Sequence, residues 1–117
     1  MENKDLALLI AEAIDDKMGA DIKVIKVDEI CAFADYFVIA SGASDRQVGA
    51  IAESAQDKMQ EAGQEIKNRE GKDSSGWILL DFGDIVVHIF SAEKRAHFNI
   101  EKLWNDGTYI DIENIAN

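Results

Sequence analysis

The segment WILLDFGDIVVHIF, residues Trp77 to Phe90, decides the fold because it contains two strands and the turn that joins them. Gly83-Asp84 predicts a two-residue hairpin loop of type II′, in which glycine takes the first position. Counting outward from this loop places Phe82 opposite Ile85 and ends with Trp77 opposite Phe90. Residues that oppose each other across a hairpin share one side of the sheet, so the loop fixes the composition of both sides.

This register divides the hairpin into an apolar face and a mixed face. The apolar face has no polar side chain and is predicted to lie in the core; it consists of Ile78, Leu80, Phe82, Ile85, Val87 and Ile89. The mixed face adds an acid and a titratable ring to apolar side chains; it consists of Trp77, Leu79, Asp81, Val86, His88 and Phe90. Two interpretations of this face stay open. A later helix covers it and makes Trp77 part of the core, or Trp77 anchors a protein-binding patch.

The composition indicates one globular domain that is not a generic nucleic-acid binder. The chain has 117 residues, with 23 acids against 12 bases and a net charge of −11. We assign residues 1–107 to a single domain and residues 108–117 to a loose, polar C-terminal tail. A phosphate backbone is bound through cations, so sequence-specific nucleic-acid binding is not expected, whereas a basic protein partner is.

Nothing in the sequence predicts export or membrane insertion. No window approaches the roughly 18 consecutive apolar residues of a membrane span. The N-terminal segment is acidic and lacks the features of a signal or transit peptide. The single cysteine, Cys31, excludes an internal disulfide. We therefore expect a cytoplasmic protein that has no membrane partner.

The rest of the chain alternates helix and strand signals around the hairpin. The predicted helices are at 5–18 and 45–62, the predicted strands are at 22–27, 36–40 and 65–70, and an irregular connector at 28–35 and a loop at 71–76 join them. After Ser91 we predict one helix, or two short ones, with Phe98, Ile100, Leu103 and Trp104 as its apolar residues and Gly107 at its end. The order α-β-β-α-β-β-β-α predicts an α/β fold, with a single mixed sheet of about five strands and helices packed on it.

One turn offers an alternative function. Ser41-Gly42-Ala43-Ser44 joins a strand to a helix, where backbone N–H groups and the helix dipole can hold an anion. A small nucleotide-binding enzyme or nucleotidyltransferase would use such a turn, but it also needs paired metal-binding carboxylates, which the sequence lacks. A structural turn, with Ser44 and Gln47 as a capping box, is favoured. We expect no catalytic residue, no metal site and no cofactor.

Two segments resemble a known family: DYFVIASGASDRQVGAIAESAQDKMQEAG at residues 35–63 and GWILLDFGDIVVHIFSAEKRAHFNIEKLW at residues 76–104. Both are similar to the ribosomal silencing factor family, also called the Iojap family, and the resemblance extends over roughly Leu6 to Trp104. Ala92, where many members have proline, is a minor departure.

The resemblance implies a nucleotidyltransferase-like sheet without catalytic activity. It implies binding to the large ribosomal subunit through a basic ribosomal protein of the uL14 family, at the surface that meets the small subunit. The bound factor would block joining of the subunits sterically and repress translation under nutrient limitation. The resemblance also implies a homodimer. A third interpretation of the chain is a homodimeric scaffold whose mixed face is occupied by a second copy.

The family role is carried onto particular residues of this sequence. The predicted partner-binding residues are Trp77, Leu79, Asp81, His88 and Phe90, which the hairpin count places on one face, with Asp84 at its rim. Asp35, Tyr36, Arg46 and Gln47 also match the family pattern, and they are either structural or part of the interface. Arg46 begins a helix, where the dipole disfavours a cation, so we predict that Asp35 pairs with it.

Overall fold

The protein forms one mixed sheet with two helices packed on one side, in a computed structural model that describes residues 2–99, 102 and 106–112, apart from the side chains of Asp73 and Phe98. The helices are α1 (Asn3–Asp16), α2 (Asp45–Glu61) and α3 (Ala92–Phe98), and the strands are β1 (Ala20–Lys26), β2 (Tyr36–Gly42), β3 (Asn68–Glu70), β4 (Trp77–Asp81), β5 (Ile85–Ser91) and β6 (Thr108–Ile110). The strand order is β3-β4-β5-β2-β1-β6. The predicted fold class is confirmed, and the order of elements agrees with the prediction as far as α3.

The hairpin of β4 and β5 has the predicted register. Trp77 pairs with Phe90, Leu79 pairs with His88, and the Phe82 N–H donates to the Ile85 carbonyl at the end of the ladder. Gly83 has a φ of 95°, and Asp84 has no positive φ, which fits a type II′ loop rather than type I′. The Asp81 carboxylate accepts a hydrogen bond of 2.8 Å from the Gly83 N–H and closes the turn.

Strand β2 is the centre of the sheet, as its unbroken apolar run predicted. It pairs antiparallel with β1 and parallel with β5, and all seven of its residues are buried. Helices α1 and α2 cover the side of the sheet that carries the apolar face of the hairpin, and their buried residues join it in one cluster. Each large aliphatic side chain buried there contributes roughly 1.5–3 kcal/mol, so this side supplies most of the stability.

The packing of helix α2 against the end of β2 leaves no room for a side chain at Gly42. A Cβ added at Gly42 would lie 2.9 Å from the backbone nitrogen of Val48 and from one of its methyl groups. The buried alanines Ala52 and Ala55 continue this close approach along the helix. The glycine in the Ser41–Ser44 turn is therefore required by helix packing.

The C-terminal region differs from the prediction. Residues Thr108–Ile110, which we assigned to a loose tail, form β6 and pair antiparallel with β1. The described part of the chain thus has six strands in its sheet instead of about five. Ile110 and Ile112 pack against the main core, and this burial offsets the entropy of ordering the segment.

Helix α3 begins after its predicted cap and ends early. The Ser91 hydroxyl accepts a hydrogen bond from the Lys94 N–H, and Asn99 ends the helix with a left-handed φ of 45°. Ile100, Leu103 and Trp104, which we predicted to extend its apolar surface, lie outside the described residues, as does the side chain of Phe98.

Candidate partner-binding face

The mixed face of the hairpin belongs to a second, smaller apolar cluster on the side of the sheet away from α1 and α2. Its buried members come from β1, β2, β5 and the connector before β2; they are Ile25, Val27, Cys31, Ala34, Phe37, Ile39, Val86 and Phe90. Trp77 and Leu79 pack against this cluster and are only partly buried. The mixed face is therefore neither bare nor fully covered, which falls between the two interpretations of the sequence.

A row of aromatic rings crosses this side of the sheet. Trp77 stacks on Phe90 with ring centroids 5.2 Å apart, and Phe37 meets His88 edge to face at 5.0 Å. Phe33, on the connector, lies 6.3 Å from Phe37 and is 68% exposed. Such pairs add to the energy of burial and fix the planes of the rings. The row links the surface of the connector to Trp77.

A hydrogen bond connects Trp77 to His88. The indole Nε1–H donates to Nδ1 of His88 at 3.3 Å. Because an indole N–H can only donate, Nδ1 carries no proton, and the neutral ring has its proton on Nε2. Nε2 is buried and has no hydrogen-bond partner in the described part of the chain. Burial lowers the pKa of His88 from 6.5 to about 4, so the ring is neutral at physiological pH.

Only some of the predicted partner-binding residues reach the surface. Trp77 and Leu79 line an open groove of about 280 Å³, whose other walls are Glu70, Gly71, Ser75 and Lys94. His88 is 4% exposed and Phe90 is fully buried. The structure brings these four side chains together, with Trp77 and Leu79 facing solvent and His88 and Phe90 supporting them from below.

The two acids of the hairpin are placed differently. Asp81 is half-buried and its carboxylate is bonded to the turn. Asp84 is exposed in the turn of the hairpin, whereas Trp77 lies at the far end of β4. Its carboxylate accepts a hydrogen bond of 3.2 Å from the side-chain amide of Asn3, at the start of α1, and the same amide donates to Asp35 at 2.8 Å. Asp84 therefore does not lie beside the Trp77 groove.

The predicted pair of Asp35 and Arg46 is wrong. Asp35 precedes β2 and Arg46 follows it in the first turn of α2, so the seven extended residues of β2 separate them. At about 3.3 Å per residue, this places them roughly 20 Å apart. Asp35 is bound by Asn3 instead, and Arg46 is exposed on α2.

Tyr36 and Gln47, which matched the family pattern, both make contacts within the protein. Tyr36 is 7% exposed and belongs to the main core. The side-chain oxygen of Gln47 accepts from the Ala43 N–H, and its amide donates to the carbonyls of Lys17 and Met18 at 3.2 and 3.1 Å. Gln47 thus joins the start of α2 to the turn after α1.

The Ser41–Ser44 turn uses its polar groups within the protein. The Ser44 hydroxyl accepts from the Gln47 N–H at 3.1 Å, which is one half of the predicted capping box. The other half differs, because the Gln47 side chain accepts from the Ala43 N–H instead of the Ser44 N–H. The Ser41 hydroxyl accepts a hydrogen bond of 3.0 Å from the guanidinium of Arg95, which also donates to the Ala20 carbonyl. Arg95 is 8% exposed, and the sequence analysis missed it because an arginine on a short helix is typical of a surface.

The described residues contain neither a cluster that could bind a metal ion nor a helix that could cross a membrane. No three histidine, cysteine, aspartate or glutamate side chains among them lie close enough together to hold a metal ion. Within the same described residues, no helix is both long enough and apolar enough to span a bilayer.

The fold and this face define a class: a one-sheet α/β protein with a tryptophan-lined groove on the side of the sheet away from α1 and α2. Comparison with known proteins gives the family. The model of the family described as "Ribosomal silencing factor during starvation" matches residues 1–117, and the chain belongs to that family. This confirms the resemblance that the motifs indicated. The family implies a regulatory role and an association with the ribosome.

Individual relatives agree with this assignment. The chain is 42% identical to the ribosomal silencing factor of Bacillus subtilis, over 97% of this chain and 96% of that protein. It is 32% identical to the chloroplastic protein Iojap of Zea mays, over 91% of this chain and 46% of that protein. A crystal structure of a Chromobacterium violaceum protein, 38% identical, superimposes with a TM-score of 0.87 over 90% of this chain and 88% of that one.

Proposed function

We propose that this protein binds a basic large-subunit ribosomal protein of the uL14 family, at the surface where the ribosomal subunits meet. The bound protein blocks joining of the subunits sterically and represses translation in the cytoplasm when nutrients are limiting. Membership of the silencing-factor family supports the ribosome as the target. The uL14-family partner is what the family resemblance implies, the charge of the chain fits a basic protein, and the groove indicates the face.

The observation that carries the proposal is the half-buried pair of Trp77 and Leu79 beside a groove of about 280 Å³. Interface hot spots are enriched in tryptophan, and they lie where one ring fills a pocket that excludes water. Trp77 has the required rigidity because it stacks on the buried ring of Phe90. A partner side chain in the groove would complete the burial of both residues.

The charge of the chain favours a protein target over ribosomal RNA. The net charge of −11 repels a phosphate backbone and attracts a basic protein. The groove walls carry one acid and one base, Glu70 and Lys94, so the attraction for a basic partner comes from the net charge of the whole chain. We therefore expect association to slow as salt is added, because screening weakens the attraction between the two partners.

Sedimentation of ribosomal subunits through sucrose gradients tests the proposal. Wild-type protein should keep purified subunits apart, and Trp77→Ala, checked for folding by circular dichroism, should fail. Loss of a hot-spot tryptophan weakens binding by about 2 kcal/mol or more, roughly thirtyfold. Glu53→Ala, on the exposed surface of α2, is the matched control and should act as wild type does. Free joining of subunits in the presence of wild-type protein would overturn the proposed function.

The two other interpretations are less well supported. The hydroxyls of the Ser41–Ser44 turn already accept hydrogen bonds from within the chain, so the nucleotide-binding alternative gains no support from the geometry. The homodimer stays a prediction. If a dimer uses the Trp77 groove, it competes with the ribosome, and mass measurements over a range of concentrations would show it weakening when large subunits are added.

A further inference from the structure

We propose that His88 is a positioning residue, whose neutral Nδ1 holds the indole of Trp77 in the orientation that the ribosomal partner binds. The inference rests on the proposed function and deepens it. It assigns a buried residue to the interaction, although that residue does not touch the partner.

The geometry separates two constraints on the indole. Stacking on Phe90, with an interplanar angle of 24°, fixes the plane of the Trp77 ring. A half-turn about the Cβ–Cγ bond keeps the indole in the same plane and turns its other, chemically equivalent face to Phe90, so stacking by itself does not fix the direction of the N–H. The hydrogen bond of 3.3 Å from Nε1 to Nδ1 of His88 decides it, since a flipped indole would point the N–H away. His88 therefore selects one of two orientations.

Stability alone does not account for an imidazole at this position. His88 is 4% exposed and lies among the rings of Phe37, Trp77 and Phe90. Its Nε2–H is buried and has no acceptor in the described part of the chain, which is unfavourable. A phenylalanine would bury a similar ring without leaving a donor unpaired. What the histidine supplies and a phenylalanine cannot is the Nδ1 acceptor.

The partial exposure of Trp77 explains why its orientation needs a constraint in addition to packing. A fully buried tryptophan is held on all sides by packing. Trp77 is held by packing on its inner side and lines the groove on its outer side, where a partner has to meet a defined shape. Binding a ring that is already oriented avoids the entropy of ordering it on contact.

The test compares two substitutions that are expected to affect stability and binding in opposite directions. His88→Phe removes the acceptor and the unpaired donor, so the variant should be as stable as wild type or more stable, yet bind purified large ribosomal subunits about five- to tenfold more weakly. His88→Asn keeps an acceptor near the position of Nδ1 but leaves a cavity, so it should be less stable and bind better than His88→Phe.

Two further variants connect the effect to the indole. Trp77→Phe removes the donor and keeps a stacked ring. In that background, His88→Phe should weaken binding no further, because the hydrogen bond is already absent. Val86→Ala, in the same buried cluster, is the control for stability and should bind as wild type does. The indole N–H resonance of Trp77, assigned by its loss in Trp77→Phe, should move in His88→Phe and stay near its wild-type position in His88→Asn.

Several outcomes would overturn the inference. An unmoved indole resonance in His88→Phe would mean that the hydrogen bond is absent in solution. Wild-type binding by His88→Phe would mean that the bond does not position Trp77. Equal weakening by His88→Phe and His88→Asn, in proportion to lost stability, would leave a purely structural role. If His88→Phe does not fold, the contrast between Trp77→Phe and His88→Asn decides between the same outcomes. Failure of wild-type protein to bind large subunits would instead overturn the proposed function.

Discussion

The buried His88 should make the protein less stable in weak acid, and replacing it should remove that sensitivity. In the unfolded chain the ring takes up a proton near pH 6.5, whereas burial lowers the pKa of the folded state to about 4. The unfolded state therefore binds more protons than the folded state between these values. The contribution of the neutral ring is complete above about pH 6.5 and is lost as the pH falls toward 4.

The size of the effect follows from the two pKa values. A pKa that is lower by about 2.5 corresponds to roughly 3 kcal/mol, at 1.36 kcal/mol for each pH unit. About 2 kcal/mol of this would be lost on going from pH 7.5 to pH 5, and about 3 kcal/mol by pH 4. These are large fractions of the 5–15 kcal/mol that is typical of a domain of this kind.

Urea unfolding followed by circular dichroism, repeated across this pH range, measures the effect as a difference between variants. The 23 acids also titrate in weak acid, so the wild-type curve alone is not diagnostic. On going from pH 7.5 to pH 5, His88→Phe should lose about 2 kcal/mol less of its free energy of unfolding than wild type loses. Val86→Ala, in the same buried cluster, leaves His88 in place and should keep the wild-type slope. Equal slopes in wild type and His88→Phe would refute the reasoning.

Three further substitutions test other contacts by their effect on the free energy of unfolding. Gly42→Ala should lower it by about 1–3 kcal/mol, because the new Cβ would press on Val48, and an unchanged urea midpoint would show that α2 can move away. Gln47→Ala should cost about 1–2 kcal/mol by breaking its bonds to Ala43, Lys17 and Met18, whereas the exposed Gln60→Ala should cost almost nothing. Asn3→Ala should cost about 1 kcal/mol, because it removes the shared donor of Asp35 and Asp84; thermal unfolding at the wild-type temperature would contradict that role.

The hairpin could be predicted because its register depends on local chemistry. Gly83 supplies the positive φ at the first position of the loop, and the alternating apolar residues on either side leave one consistent pairing. The same count placed Trp77, Leu79, His88 and Phe90 on one face. It did not show which of them reach solvent, because this depends on the cluster that β1, β2 and the connector build beneath them.

The errors have a common physical origin in contacts between distant parts of the chain. Thr108–Ile110 is a strand only because the edge of β1 is available to it. Asp35 and Arg46 are close in sequence, but β2 is extended between them. Arg95 is buried because Ser41 and Ala20 offer it acceptors, and nothing in the composition of α3 indicates this. Local sequence patterns predicted most of the helices and strands, but they did not predict which distant residues contact one another.

The position of β6 has a consequence for how the chain assembles during synthesis. Ile110 pairs with Val24, so the outermost strand of the sheet is made more than eighty residues after the strand on which it docks. Such distant pairings form late, because the chain between them must first be closed into a loop. Until then β1 presents a free hydrogen-bonding edge, to which other chains can add. The last strand of the sheet to be synthesised thus also protects its neighbour from aggregation.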